Sequence, residues 1–280
     1  MSGVYVEPES GFKMEIPADA YVCPSCKGPL ARGGSAFDCR ACQATYPIVD
    51  CIPDFVGQDL ASKISPVLRA FLNIPLIQRV YETKLWYPVI LRIFGGSNAP
   101  SFEQLMGKVG AMVAAESGIV LDVACGPGTL GRRIASPTRA AYGVDISWKM
   151  LRQGAAYVTQ EGISNVQFAR ASVDALPFPD AFFNVALCGG ALHLFPDTVA
   201  ALREIARVMK AGALLAVTTF TPARAGILRF ERISERVQRR GGTRLFEPAQ
   251  LGGYLTQAGF EGFRPQLDGS VMTFSARKRA

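Results

Sequence analysis

The hydrophobic pattern changes near residue 100, and beyond it short apolar runs alternate with segments in which apolar residues recur at helical spacing. The runs predict buried strands, and they cover residues 119–123, 140–145, 166–171, 183–188 and 214–220. The helical spacing predicts helices, which cover residues 102–115, 130–135, 199–209 and 247–258, with another after Ser147. Asp197 is expected to cap the helix over 199–209, and Gly212 to end it. Such alternation indicates an α/β domain on a mostly parallel sheet, which strand patterns at 263–267 and 271–276 close as an antiparallel hairpin.

Before residue 57 the informative pattern is formed by cysteines. Twelve residues separate Cys23-Pro-Ser-Cys26 from Cys39-Arg-Ala-Cys42. Two such knuckles predict a zinc site, because each short loop sets two thiolates on one side of a tetrahedral ion. A four-thiolate site leaves no position for a substrate, so a structural Zn²⁺ is expected, in a segment too small to fold alone. The alternative is four unrelated free cysteines.

These patterns divide the chain into predicted parts. Apolar residues at helical spacing between 59 and 94 predict helices that prolines break into short pieces. Residues 46–55 predict two short strands around a turn, with Cys51 as a packed thiol outside the metal site. The predicted domains are a lead-in over 1–20, a zinc-ribbon domain over 21–57, a helical linker or cap over 58–100, and the α/β domain over 101–280.

A glycine-rich turn follows the first strand of the α/β domain. Gly126-x-Gly128-x-x-Gly131 lets the backbone pass close under a ligand, and the amides of the next helix point at it. With Asp145 further on, this pattern alone would also fit an NAD(P) site. Asp122, ahead of the glycines, and Asp174 argue against that, because a pyrophosphate would be repelled by Asp122. An ammonium, a sulfonium, a ribose diol and an adenine would instead give each carboxylate a partner.

Three motifs in order carry a family resemblance over about residues 100 to 280. The motifs are Leu121-Asp-Val-Ala-Cys-Gly-Pro-Gly128, Tyr142-Gly-Val-Asp-Ile-Ser147 and Ala171-Ser-Val-Asp-Ala-Leu-Pro-Phe-Pro-Asp180. Here the chain resembles the class I S-adenosylmethionine-dependent methyltransferases. The resemblance implies a Rossmann-like sheet with helices on both faces. It also implies S-adenosyl-L-methionine as cofactor, with contacts from Asp122, Ala124, Cys125, Gly126, Gly128, Asp145, Ile146, Met150, Val173, Asp174, Ala175, Cys188 and Tyr81.

Individual roles follow from where these residues lie. A carboxylate at the tip of a parallel strand lies where ligands bind, so Asp145 is expected to accept both ribose hydroxyls. Asp174 is expected to accept from the adenine amino group, while Ile146 and Met150 lie against the ring. The alternative for Asp145 and Asp174 is helix capping.

The N-terminal part carries a second resemblance. With its Cys-Pro-x-Cys-Lys-Gly-Pro-Leu beginning and Ile-Pro-Asp-Phe55 end, it resembles the zinc-ribbon activator subunits of tRNA and protein methyltransferases. It is also similar to the zinc modules of rRNA guanine-N1 methyltransferases, although their histidine ligand has no counterpart here. The order of ribbon and methyltransferase most resembles a poorly characterised bacterial and plastid family.

Charge, apolar runs and cysteine content indicate where the protein is located and what it could bind. The 280 residues carry a net charge of +7, which suits nucleic acid, a membrane surface or an anionic substrate, but also plain solubility. No apolar run approaches the roughly 20 residues of a spanning helix. The first residues carry no secretory pattern. Because disulfides are typical of secreted proteins, the seven cysteines are expected to be metal ligands or free thiols. A cytoplasmic protein without a membrane span is expected.

His193 is the only histidine of the chain, and it follows the predicted strand over 183–188. Its imidazole can take a proton near neutral pH, which makes it the candidate general base. The alternative is that His193 only shapes the pocket, because many enzymes of this class transfer the methyl group by positioning alone.

Two further segments leave alternatives open. The resemblance implies that the stretch before the first strand covers the pocket, with Phe71, Tyr81, Trp86 and Tyr87 as its roof; otherwise these aromatics pack the ribbon on the core. Seven arginines lie between Thr221 and Arg244: Arg224, Arg229, Arg232, Arg236, Arg239, Arg240 and Arg244. They are interpreted as a solvated helix face, or else as a lid for phosphate or carboxylate or a grip for RNA.

Three functions are compatible with these features. The first is transfer of a methyl group from S-adenosylmethionine to the oxygen or carbon of a small hydrophobic or aromatic metabolite, since Asp174 to Asp180 resembles quinone C-methyltransferases and natural-product O-methyltransferases. The second is an RNA base methyltransferase that uses the ribbon and the arginines as its RNA grip. The third is a regulatory protein that binds the cofactor without catalysis.

Overall fold

The computed structural model describes residues 18–56, 86–222 and 244–280. Eleven strands lie in these ranges: β1 Leu30–Gly33, β2 Ala36–Cys39, β3 Thr45–Val49, β4 Ile52–Pro53, β5 Gly118–Val123, β6 Arg139–Asp145, β7 Val166–Arg170, β8 Phe183–Gly189, β9 Met209–Phe220, β10 Phe260–Asp268 and β11 Val271–Lys278. The α-helices of the same ranges are α1 Trp86–Gly95, α2 Phe102–Val113, α3 Thr129–Ile134, α4 Trp148–Gln160, α5 Thr198–Val208 and α6 Pro248–Gln257. Within the described residues, no helix has the length and apolar character needed to cross a membrane.

The strands form two sheets. The first four make a small antiparallel sheet in chain order, and the other seven have the order β10-β11-β9-β8-β5-β6-β7. β5 pairs with β6 and β6 with β7 in parallel, whereas β11 is antiparallel to both β9 and β10. The predicted parallel core with a closing antiparallel hairpin is therefore confirmed.

The described residues fall into two compact units. The first contains 18–56, 117–186 and 207–210, and the second contains 86–116, 187–206, 211–222 and 244–280. In the first unit the apolar strands β5, β6 and β7 are buried, with Leu121 and Phe168 fully enclosed. In the second, Leu91 of α1 and Leu105 of α2 form a buried cluster with Phe220 and Val271.

An aromatic cluster joins the N-terminal module, which we define as residues 18–56, to the parallel strands of the same unit. The Tyr21 ring lies 5.7 Å from Phe37 and 5.4 Å from Phe178, centroid to centroid, and meets Tyr142 edge-on at 6.2 Å. The Val22 amide also donates to the carbonyl of Pro177 at 3.0 Å. Burial of these rings contributes apolar contact between the module and the parallel strands.

Local sequence signals explain several element boundaries. The hydroxyl of Ser101 and the side chain of Gln104 form a capping box at the start of α2. The predicted cap at Asp197 is confirmed, because its carboxylate accepts from the Ala200 amide at 2.9 Å. Two strands around a turn over 46–55 are also confirmed, as β3 and β4.

Two predictions of detail were wrong or incomplete. The helix that begins after Asp197 ends at Val208, and Met209 already belongs to β9. The reason is tertiary pairing, because the carbonyls of Arg207 and Val208 accept from Ala181 and Phe182, so the chain leaves the helix before Gly212. The hairpin of β1 and β2 between the two cysteine knuckles was not predicted.

Candidate cofactor and metal sites

The glycine-rich turn after β5 holds an unusual backbone conformation. Ala124, Gly126 and Gly128 all have positive φ angles, of 51°, 55° and 74°. The turn is closed by the Gly128 amide, which donates to the Cys125 carbonyl at 2.9 Å. A Cβ atom at Gly128 would lie 2.7 Å from the Phe168 ring. Glycine is therefore required there both by conformation and by space.

Asp122 lies beneath this turn. Its carboxylate is 1% exposed and accepts from the Gly131 amide, in the first turn of α3, at 2.9 Å. Burial raises the pKa of Asp122 to about 7, and the nearby Asp145 adds to the increase. Asp122 thus supports the backbone of the turn from inside the unit.

Asp145 ends β6 beside the same turn. One carboxylate oxygen accepts from the Gly126 amide and the other from the Ser147 amide, both at 2.8 Å. The side chain is half-buried, and burial raises its pKa. Each oxygen retains a further lone pair, so the carboxylate is fixed in orientation but can still accept hydrogen bonds from a ligand.

The remaining predicted cofactor residues of this unit follow the strands β5, β6 and β7 along the chain. Asp174 is exposed and sits in a short 3₁₀ turn over Val173–Ala175, where its carboxylate accepts from the Ser172 hydroxyl at 3.1 Å. The Ala171 amide donates to the Asp145 carbonyl at 3.1 Å, which links the chain leading to this turn with the end of β6. Ile146, Ala124, Val173 and Ala175 are half-buried, whereas Met150 and Cys125 are buried.

The four predicted metal ligands come together in the N-terminal module. The Sγ atoms of Cys23, Cys26, Cys39 and Cys42 all lie within 4.8 Å of one another. The Sγ separations are 3.6 Å for Cys23 and Cys42 and 3.4 Å for Cys26 and Cys39. A tetrahedral zinc ion with Zn–S bonds of about 2.3 Å requires sulfur separations of roughly 3.8 Å. The donor set and its dimensions therefore fit Zn²⁺.

Hydrogen bonds around these sulfurs suit thiolates. The backbone amides of Ser25 and Cys26 reach Cys23 Sγ, and those of Ala41 and Cys42 reach Cys39 Sγ in the same way. The hydroxyl of Tyr46 lies 3.1 Å from Cys23 Sγ. Outer groups of this kind stabilise and orient metal ligands. Cys51, outside the tetrad, is 1% exposed and forms no disulfide.

His193 belongs to the other compact unit, in a 3₁₀ turn shortly after β8. It is 7% exposed, and its ring meets Phe220 edge-on at 5.3 Å between centroids. Nδ1 has no hydrogen-bond partner among the described residues. Burial lowers the pKa of His193 to about 4, so the imidazole is neutral and can accept a proton. Cys188, the predicted cofactor contact on β8, is 1% exposed in the same unit.

Some predicted residues lie outside the described ranges. Tyr81 and Phe71 are among them, as are all the arginines of the 224–244 segment except Arg244. Trp86 begins α1, and the Tyr87 ring stacks on Phe102 with centroids 3.8 Å apart. The Arg244 amide donates to the His193 carbonyl at 2.8 Å. The Tyr87 contact joins α1 to α2, so both alternatives for these aromatics, a roof over the pocket or packing of the ribbon on the core, stay predictions.

One pair of charged residues near the site was not predicted. Arg170, the last residue of β7, is 7% exposed and donates to Asp54 of the N-terminal module at 2.9 Å. A signal was present, because an arginine inside an apolar strand needs a buried acceptor. The sequence did not indicate which carboxylate supplies it.

We expect Asp122→Asn to remove a pH dependence of stability. Because the pKa of Asp122 is raised in the folded state, its neutral form contributes stability that is fully present below about pH 4 and is lost as the pH rises through about 7. Asparagine keeps an acceptor for the Gly131 amide without the buried charge. The variant should therefore be more stable than the wild type at pH 8, by on the order of 4 kcal/mol, and similar at pH 4, as measured by urea unfolding. Equal pH profiles would contradict this assignment.

Comparison with known proteins shows similarity to methyltransferases. Residues 120–212 match a family model described as a methyltransferase domain. An uncharacterized chloroplastic methyltransferase of Arabidopsis thaliana is 28% identical over 293 residues, covering 95% of this chain and 80% of the plant protein. A ubiquinone/menaquinone biosynthesis C-methyltransferase of Ectopseudomonas mendocina is 39% identical over 106 residues, 36% of this chain. This chain spans only 41% of that enzyme's length.

A solved structure shares the fold. Phosphoethanolamine N-methyltransferase 2 of Haemonchus contortus, in complex with S-adenosyl-L-methionine, superposes with a TM-score of 0.57 at 18% identity, over 73% of this chain and 59% of that one. At this level of identity the similarity concerns the fold alone. It confirms the predicted Rossmann-like methyltransferase architecture.

Proposed function

We propose that this chain, which its domain match and relatives support as an S-adenosylmethionine-dependent methyltransferase, methylates a carbon or oxygen of a small hydrophobic or aromatic metabolite. The observation that carries the proposal is the Asp145 carboxylate, which two backbone amides hold beside the glycine-rich turn. An acceptor fixed in this way suits a ribose diol, because a diol presents two donors side by side.

In this proposal, different residues of the first compact unit bind different parts of the cofactor. Asp145 would hold the ribose hydroxyls, and Asp174, exposed on its 3₁₀ turn, would accept from the adenine amino group. The turn at Gly126 and Gly128 would let the backbone lie against the methionine part, with Asp122 holding the turn from below. The bound cofactor supplies a methyl group on a sulfonium, which is a good leaving group.

The proposed acceptor class rests on the relatives and on the setting of His193. The similarity to a quinone C-methyltransferase favours an aromatic or quinone-like acceptor. His193 is buried with its ring against Phe220, and as a neutral imidazole it would take a proton from the acceptor at a ring nitrogen. His193 follows the end of β8 by four residues, where we expect the transferred methyl group to face the acceptor.

His193→Gln tests this role. We expect kcat to fall roughly 10²- to 10⁴-fold, while the affinity for S-adenosylhomocysteine stays within a factor of two. For the wild type, kcat/KM should rise through about pH 4 and stay level from pH 6 to pH 8, because the pKa of the buried imidazole is near 4. A variant with wild-type kcat would assign His193 to pocket shape, the alternative raised by its sequence position.

The N-terminal module is proposed to be a structural zinc ribbon. The tetrad of thiols with the dimensions of a tetrahedral site, and the amides that reach Cys23 and Cys39, support this assignment. Four sulfur ligands fill the coordination sphere, so the ion would hold the loops together and take no part in methyl transfer.

The experiment that tests the function combines binding and turnover. Titration calorimetry with S-adenosylhomocysteine should give a dissociation constant in the micromolar range or below for the wild type. Transfer from radiolabelled S-adenosylmethionine should then be measured with hydroxyquinones, substituted phenols and bulk RNA in parallel. Methylation of RNA, together with binding to bulk RNA that weakens steeply as the salt concentration rises, would favour the RNA methyltransferase. Binding without turnover on any acceptor would favour the regulatory alternative.

A further inference from the structure

Arg170 links the N-terminal module to the proposed cofactor loop. Its guanidinium uses two different branches: Nη1 donates to Asp54 Oδ2 and Nε donates to the Ile146 carbonyl, each at 2.9 Å. Its own carbonyl accepts from the Phe55 amide at 2.8 Å. One buried side chain therefore touches both the module and the residue directly after Asp145.

Asp54 is itself fixed within the module. Its second carboxylate oxygen accepts from the Val56 amide at 3.0 Å, and its backbone amide donates to the Pro47 carbonyl of β3 at 2.8 Å. Asp54 and Arg170 also form a parallel β-bridge. Asp54 is only 8% exposed, so the position of its carboxylate depends on the fold of the module rather than on solvent.

Besides the amides that hold the Asp145 carboxylate, contacts from the end of β7 hold the loop after β6. The Asp145 carbonyl accepts from the Ala171 amide, next to Arg170. The guanidinium carbon of Arg170 also lies 5.3 Å from the centroid of the Trp148 ring, a distance at which a cation and an aromatic face attract. If Arg170 lost Asp54, a buried cation would be left without its counter-charge and would have to move.

We propose that Arg170 is a positioning residue for S-adenosylmethionine binding, and that Asp54 of the N-terminal module sets its orientation. Through the Ile146 carbonyl, the pair fixes the backbone on which the Asp145 carboxylate is presented to the ribose. The inference rests on the proposed function, in which Asp145 binds the ribose diol. It gives the zinc-binding module a role in the affinity for the cofactor, although the module contributes none of the proposed cofactor contacts.

A second ion pair provides a matched comparison. Asp50 of the same module pairs with Arg152 of α4 at 2.8 Å, and these side chains are 45% and 54% exposed. This pair also joins the module to the parallel strands' side of the unit. Among the described residues, the Asp50 carboxylate accepts from Arg152 Nε, and the pair makes no hydrogen bond to the backbone of the 145–147 loop. Loss of Asp50 should therefore remove an ion pair without releasing the loop.

The test uses the full chain with Asp54→Asn and Arg170→Lys, and Asp50→Asn as the control. Lysine keeps the positive charge for Asp54 but lacks a second branch for the Ile146 carbonyl. Calorimetry with S-adenosylhomocysteine should show roughly 3- to 30-fold weaker binding for both test variants and unchanged binding for the control. Zinc content, measured by elemental analysis, should stay equal in all of them.

Two readouts separate positioning from general stability. The preference for S-adenosylhomocysteine over its 2′-deoxy analogue should shrink in the test variants, because a displaced Asp145 gains less from the ribose hydroxyl. Hydrogen exchange of the amides over 145–148 in the ligand-free protein should speed up in Asp54→Asn and Arg170→Lys but not in Asp50→Asn. Wild-type ligand preference and exchange in both test variants would overturn the inference while leaving the proposed function intact. A wild type without affinity for S-adenosylhomocysteine would instead overturn the proposed function and, with it, this inference.

Discussion

Replacing Asp145 with alanine is expected to weaken the binding of S-adenosylhomocysteine by roughly 100- to 1,000-fold, because each hydrogen bond to an ionised acceptor contributes about 1.5–3 kcal/mol. The loss has two physical sources. The ribose would lose both of its proposed acceptors, and the amides of Gly126 and Ser147 would lose the carboxylate that orders them. The measurement is titration calorimetry on the purified full chain at constant pH and salt.

Two variants sharpen this test. Asp145→Asn keeps one carbonyl oxygen, so it should retain part of the affinity. Asp197→Ala serves as a control, since that carboxylate caps α5 through the Ala200 amide; it should cost about 1 kcal/mol of stability and leave ligand binding unchanged. Affinity in Asp145→Ala within a factor of three of the wild type would mean that the adenosyl group is held elsewhere.

The second large effect is expected on removal of zinc. Cys39→Ser should lower the bound zinc from about one ion per chain to none, and the N-terminal module should unfold. The reason is the size of the contribution, since structural zinc sites contribute about 10–16 kcal/mol of apparent binding free energy, more than a module of this size can supply from its core. Elemental analysis and the near-ultraviolet circular dichroism of the Tyr21 and Tyr46 environment would follow the two events.

Cys51→Ser is the matched control for this experiment. Cys51 is as deeply buried as Cys39 but lies outside the tetrad, so the variant should keep its zinc even if it is somewhat less stable. Treatment of the wild type with a strong chelator should reproduce the Cys39→Ser result. A chain that contains no metal after expression in zinc-supplemented medium, yet shows the wild-type aromatic signal, would refute the zinc assignment.

The sequence predicted the parts of the molecule that depend on local pattern. Mostly apolar runs such as Ile119 to Val123, in which Asp122 is the one polar residue, correspond to β5, because a parallel strand covered on both faces carries apolar residues on both. The position of Asp145 at the end of β6 and the clustering of the four cysteines also follow from spacing alone. The length of β9 was harder to predict, because Met209 satisfies the apolar pattern of the preceding helix as well as that of the strand.

The arrangement of the N-terminal module on the parallel strands was not accessible in the same way. Asp54 and Arg170 are 116 residues apart, and each is a single charged residue without a periodic signal. Which carboxylate a buried arginine selects depends on the tertiary fold, and several acidic residues in the chain were equally suitable by sequence. The contact of Tyr21 with Tyr142 and Phe178 was unpredictable for the same reason. An aromatic residue in a sequence indicates burial but does not indicate which residues it will contact.

The bridge between Asp54 and Arg170 has a consequence for solubility. β7 is the outermost strand at its side of the large sheet, and an open strand of this kind offers unpaired amides and carbonyls to other chains. The bridge and the Phe55 amide cover its carboxyl end. If the proposed zinc ion is withdrawn and this cover detaches, the apolar edge becomes a template for strand addition. Chelator-treated protein is therefore expected to aggregate as β-rich oligomers at concentrations where untreated protein stays monodisperse.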